Sequence, residues 1–123
     1  MDQPLGVVGV GGGQRETQLA VGEHVRAVGE RDGALGALLE RSDAVSIHCV
    51  LNDLTRRMVG AVELGRMKPG GVLVNVARGP VVDMGALAEA MAARRIFAAA
   101  LDVTDPEPLP RGHPLLAMDN VVI

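Results

Sequence analysis

The apolar residues of this chain change period along its length, and that change limits the fold more than any other feature. Leu5-Gly6-Val7-Val8-Gly9-Val10 is a short continuous apolar run ending in glycines, the pattern of a strand buried on both faces. Ala44 to Cys49 and Gly71 to Val76 repeat it, the latter after the turn signal Lys68-Pro69-Gly70. Phe97 to Leu101 is a fourth run, and Asn120-Val121-Val122-Ile123 begins a fifth. Between these runs the spacing becomes helical. Leu35, Leu38 and Leu39 share a face over Ala34 to Arg41, and Val62 to Met67 forms a shorter amphipathic segment. Asp83 can cap a helix striped by Leu87, Ala90 and Met91, with Arg94 and Arg95 in its last turn. Strands apolar on both faces that alternate with helices predict an α/β domain built on a parallel sheet. Asp105 to Pro114, with its four prolines, reads as an extended loop.

Composition removes several function classes. A net charge of −3, with eleven scattered arginines and one lysine, offers no basic footprint for nucleic acid. No apolar run approaches the roughly 18 residues of a membrane span. Phe97 is the sole aromatic residue, which argues against ring-stacking readers of single strands or proline-rich peptides. Cys49 is the sole cysteine, so neither a disulfide framework nor a cysteine-based metal site is expected, and a reducing, cytoplasmic setting fits.

Gly9-Val10-Gly11-Gly12-Gly13-Gln14 follows a predicted strand. In a strand-to-helix context, such glycines let a pyrophosphate approach backbone N–H groups at a helix N-terminus. The last position of the fingerprint is Gln14 rather than Gly, and a plain flexible turn is an equal alternative. Arg15 to Ala20 allow a helix and His24 to Val28 a short strand. The carboxylate expected about twenty residues beyond the glycines is Glu30 or Asp32, each of which, taken singly, reads better as a solvated charge. The cofactor is therefore NAD or NADP, with no residue that separates them.

From Leu38 onward a denser constellation appears. Leu38-Leu39-Glu40-Arg41-Ser42-Asp43 is followed by Leu54-Thr55-Arg56, Met67-Lys68-Pro69-Gly70 and Val74-Asn75-Val76-Ala77-Arg78-Gly79. Val82-Asp83, Ala86-Leu87, Ala100-Leu101-Asp102-Val103 and His113-Pro114-Leu115-Leu116 continue it. This series resembles the NAD(P)-binding domain of the D-isomer-specific 2-hydroxyacid dehydrogenases, and Asp102 to Pro110 resembles the glyoxylate/hydroxypyruvate reductase branch most. The resemblance implies a Rossmann-like doubly wound parallel sheet, here truncated and without the family's substrate domain. It implies that Arg78, one step past a buried strand, grips and polarises a small 2-oxo or 2-hydroxy acid, as a planar guanidinium can. It also implies Glu107 as the carboxylate that orients a catalytic histidine. It further implies Asp102 at the nicotinamide carboxamide, Ala77 among the cofactor-binding residues, and Gly9, Gly11, Gly12 and Gly13 at the pyrophosphate. Family members pair through this domain, so a homodimer is expected.

Several departures qualify these implications. The family's acid/base histidine lies in a Pro-His motif beyond the strand that starts at Asn120, past Ile123. His24, His48 and His113 do not fit its role. The Gly11 to Leu38 region is shortened relative to the family's two-strand, two-helix run, and Val50 and Asp53 replace prolines usual in the loop after Cys49. The chain is thus expected to be a partial cofactor domain with negligible turnover of its own. The alternatives are a non-catalytic dinucleotide-binding or scaffold module and a truncated remnant.

Overall fold

In the computed structural model, residues 7–13, 16–21, 25–28 and 33–123 are described, with side chains from residue 35 onward. Seven strands form one sheet in the order β3-β2-β1-β4-β5-β6-β7. They are β1 (Val7–Gly13), β2 (Glu16–Val21), β3 (Val25–Val28), β4 (Ala44–His48), β5 (Val72–Asn75), β6 (Ala98–Leu101) and β7 (Val121–Val122). The helices are α1 (Gly33–Arg41), α2 (Ala61–Arg66) and α3 (Met84–Ala92), with short 3-10 turns at Gly79–Val81 and Pro114–Ala117.

Strands β1, β4, β5, β6 and β7 run parallel, as the buried apolar runs predict. Val45, Ile47, Leu73 and Ala99 are almost wholly buried on one face of these strands. Helix α1 lays Leu35, Leu38 and Leu39 into the core, and Ser42 Oγ donates to the Leu38 carbonyl at 2.5 Å as the helix ends. Helix α2 packs between α1 and α3. The Glu63 carboxylate accepts from Gly60 N–H at 3.0 Å at the α2 start, satisfying one donor there. At its end, the Arg95 guanidinium donates to the carbonyls of Met67 and Gly65. Asp83 caps α3 as expected, accepting from Ala86 N–H at 3.0 Å, while Met84, Leu87 and Met91 turn inward. Arg94 leaves α3 in the left-handed region at φ 50°.

The amino-terminal side departs from expectation. The glycine run Gly9 to Gly13 does not turn into a helix. It lies within β1, which pairs with β4 up to Gly11 opposite His48 and with β2 through Gly13 opposite Glu16. Arg15 to Ala20, where the sequence allows a helix, fall largely in β2, and β3 occupies most of the predicted His24 to Val28 strand. Both β1–β2 and β2–β3 are antiparallel. The reason is connection length. Parallel neighbours need a crossover of a dozen or more residues, whereas only Gln14 and Arg15 separate β1 from β2, and residues 22–24 separate β2 from β3. Thr17, Leu19 and Val21 also alternate with Glu16, Gln18 and Ala20, the period of a strand. Gln14, His24, Glu30 and Asp32 lie outside the described residues.

Candidate functional site

Parallel sheets bind ligands beyond the carboxyl ends of their strands, and a cleft of about 470 Å³ opens there. His48, Cys49, Val50 and Leu51 form one wall as β4 ends, and Val76, Ala77 and Arg78 form the other as β5 ends. Both walls are held by buried polar groups. Asn75, with no exposed surface, accepts from Ala77 N–H through Oδ1 at 3.0 Å and donates through Nδ2 to the Arg78 carbonyl at 2.9 Å. One side chain thereby sets the bend that carries Arg78 off the strand. On the other wall, buried Thr55 donates through Oγ1 to the Val50 carbonyl at 2.6 Å and accepts from Asn52 N–H at 2.9 Å.

The loops are also locked to one another. Arg57 N–H donates to the Pro80 carbonyl at 2.7 Å, Val59 N–H to Val81 at 3.1 Å, and Asp83 N–H to Val59 at 2.9 Å. This short zipper joins the loop after β4 to the loop after β5. The loop after β6 presses on the second of these so closely that a Cβ on Gly79 would overlap the Thr104 carbonyl and backbone. Only glycine lets those two backbones pass.

Arg78 donates to the Ala77 carbonyl at 2.7 Å, and among the described residues it has no carboxylate partner and the cleft wall carries no acidic side chain. A guanidinium with unused donors beside apolar Val50, Leu51, Val76 and Ala77 suits a ligand with a planar ring and an anionic group. Asp102 stands exposed one step past β6, its N–H bonded to the Asn75 carbonyl at 3.0 Å, so it neighbours the β5 wall. Glu107 is exposed in the proline-rich loop and does not line the cleft. His113 is engaged structurally, its Nδ1 accepting from Leu115 N–H at 3.3 Å. His48 does line the cleft, with Nε2 2.7 Å from Ser46 Oγ. Burial pushes the Cys49 thiol above its ordinary value, partly offset by a backbone hydrogen bond.

Residues 2–123 match the family described as D-isomer specific 2-hydroxyacid dehydrogenase, NAD binding domain. The chain belongs to that family. A glyoxylate reductase from Aeropyrum pernix is 47% identical over 98 residues, 80% of this chain and 29% of the relative. The glyoxylate/hydroxypyruvate reductase B of Serratia proteamaculans is 48% identical over 88 residues, 72% of this chain and 27% of the relative. A D-isomer specific 2-hydroxyacid dehydrogenase from Xanthobacter autotrophicus Py2, solved in complex with NADPH and MES, superposes with a TM-score of 0.70 at 45% identity. That superposition covers 72% of this chain and 37% of the other. The chain thus spans 24% to 29% of the first curated relatives it matches.

The residues present suit a planar amide-bearing ring: apolar walls, a guanidinium with unused donors and, at an adjoining strand end, the exposed Asp102 carboxylate. The pyrophosphate side fits less well, because β1 continues as a strand where the family fingerprint needs a helix N-terminus. Asn75, Thr55 and Gly79 stand within the sequence motifs but acquire a role only through these contacts. A polar Asn at the end of an otherwise apolar strand is the sequence signal available for the first.

Proposed function

We propose that this chain is the cofactor-side half of an NAD(P)-dependent oxidoreductase acting on the CH–OH group of small 2-hydroxy acids, of the glyoxylate/hydroxypyruvate reductase kind. The observation that carries this is Arg78, a guanidinium with no carboxylate partner among the described residues, on the apolar wall of the cleft at the ends of β4 and β5. NAD or NADP is assigned to this edge, where Ala77 and the Asp102 carboxylate would hold the nicotinamide portion and the Gly9 to Gly13 backbone would serve the phosphates. When bound, the nicotinamide supplies or accepts a hydride at C4. Arg78 holds the acid's carboxylate and polarises its 2-oxo group. Val50, Leu51 and Val76 keep water from that face. Glu107 is assigned to a histidine partner.

Among the described residues, neither His48 nor His113 is paired with a carboxylate, as an oriented acid/base would be. We therefore assign the 123-residue chain cofactor binding without appreciable turnover. Its single buried cysteine suits the cytoplasm, and no helix among the described residues is long and apolar enough to cross a membrane. Self-association of the cofactor domain belongs to the same proposal and is read by sedimentation.

The test is a fluorescence titration with NADH and with NADPH, for which the absence of Trp removes protein background. Saturable enhancement is expected, abolished or weakened at least tenfold in Asp102→Ala at unchanged melting temperature, with no consumption of NADH on adding glyoxylate or hydroxypyruvate. Failure of both cofactors to bind a cooperatively melting chain would refute the assignment, and steady turnover would refute the division of labour.

A further inference from the structure

Among the described residues, His48 is the one cleft-lining titratable side chain that the proposed reaction leaves without a task, apart from the buried Cys49. Its ring is fixed, with Nε2 2.7 Å from Ser46 Oγ, two residues back on the same strand face. Nδ1 has no partner among the described residues. The Ser46 hydroxyl can donate to Nε2, which leaves a proton on Nδ1 and so offers a donor to the cleft. Arg78 lies on the opposite wall, and no carboxylate lines either one among the described residues. Whatever fills the cleft therefore meets Arg78 from one side and the imidazole from the other.

The backbone next to His48 adds to this. His48 pairs with Gly11, the last β1 residue in the β4 ladder, while Gly12 and Gly13 run on, paired with β2 alone. On the β4 side the edge of β1 thus ends its ladder beside the imidazole, with no side chain on either glycine. The helix N-terminus that would meet a pyrophosphate in the family fingerprint is not at this place, because β1 extends through it.

We infer that His48, held by Ser46, is the side chain that contacts the phosphate portion of the dinucleotide, standing in for the missing helix N-terminus. This rests on the dinucleotide assignment above and adds which residue meets the anion. Nδ1–H donates to a phosphate oxygen while Arg78 remains for the substrate, so the two donors divide the cleft between cofactor and acid. Ser46 acts as a positioning residue.

The experiment is a parallel fluorescence titration of the full chain with NADH and with reduced nicotinamide riboside, which keeps the reporting ring and lacks phosphate. His48→Ala is expected to weaken NADH binding about tenfold, the value of one charge-assisted hydrogen bond, and to leave the riboside unchanged. Inorganic pyrophosphate should compete with NADH on the native chain and lose that competition in His48→Ala. Ser46→Ala should reproduce a smaller share of the NADH effect, and His48→Gln, which retains an N–H donor, should recover part of it. Equal weakening of NADH and riboside would mean that His48 merely shapes the wall, and would overturn the inference while leaving the dinucleotide assignment standing. A native chain that binds neither compound would overturn both.

Discussion

The two halves of the sheet follow one strand order and two different rules of connection. From β4 to β7 each strand returns through a long excursion, residues 49–71 and 76–97 carrying α2 and α3, and the strands are parallel. From β1 to β3 the excursions shrink to residues 14–15 and 22–24, and the strands are antiparallel. Yet the order 3-2-1-4-5-6 is that of a dinucleotide-binding sheet. Lateral position and direction are therefore separable. Ladder hydrogen bonding accepts a neighbour of either sense, and chain length decides which sense is reachable. The consequence is functional: the helix-connected half keeps its cleft, while the meander half forfeits the helix terminus that would cradle phosphate.

If the helix-connected half is rigid because its loops interlock, the largest effect should come from prying them apart. Gly79→Ala forces a Cβ into the Thr104 backbone, and the loop that carries Gly79 is held against yielding by the zipper at Val59 and Val81. A loss of about 3 kcal/mol or more is expected from this overpacking, read as a fall in denaturant midpoint. Gly65→Ala is the control. It meets nothing within 4 Å on exposed α2, and should stabilise by about 0.5–1 kcal/mol through helix propensity. Equal effects of the two would show that the loops are not tightly joined.

The meander should break separately. Gln18 pairs with Gly11 on one side and Val28 on the other, so Gln18→Pro removes an N–H from a strand with neighbours on both edges, at a cost of roughly 1–3 kcal/mol. Hydrogen exchange should show protection lost over β2 and β3 and retained in β4, β5 and β6. Uniform loss across all the strands would mean that the meander is integral to the core and that the contrast drawn above is only one of connectivity.

What could be read beforehand follows the same division. Buried parallel strands announce themselves as continuous apolar runs, so Ala44 to Cys49 and Gly71 to Val76 locate β4 and β5 within a residue or two. Asp83 announces α3 by its capping chemistry. The Gly9 to Gly13 run misleads because glycine has no side chain to declare a period, and a fingerprint for a turn is equally a sequence that can extend a strand. Arg78 is legible as a strand-end cation. The groups that aim it are not: Asn75 acts through two local hydrogen bonds, and Gly79 through a contact with a loop 25 residues further on in the numbering, at Thr104.

The smallest effect lies at the cleft itself and reports whether the helix-connected half alone buries it. Cys49 is buried at the end of β4, which raises its thiol above the ordinary 9.0 in the folded chain. On unfolding the thiol regains its ordinary value and releases its proton more readily. Its share of stability is thus fully present below that value, and falls as pH rises from there through the folded value. Denaturant midpoints should decline across that alkaline range in the native chain, and the decline should be shallower in Cys49→Ala. The same difference between the native chain and Cys49→Ala should persist when Gln18→Pro is added to both if the helix-connected half alone covers Cys49, which shares a core cluster with Ile47, Ala77 and partly buried Leu51. If the difference vanishes in the proline background, the meander helps to keep water from Cys49, and the cleft depends on both halves of the sheet.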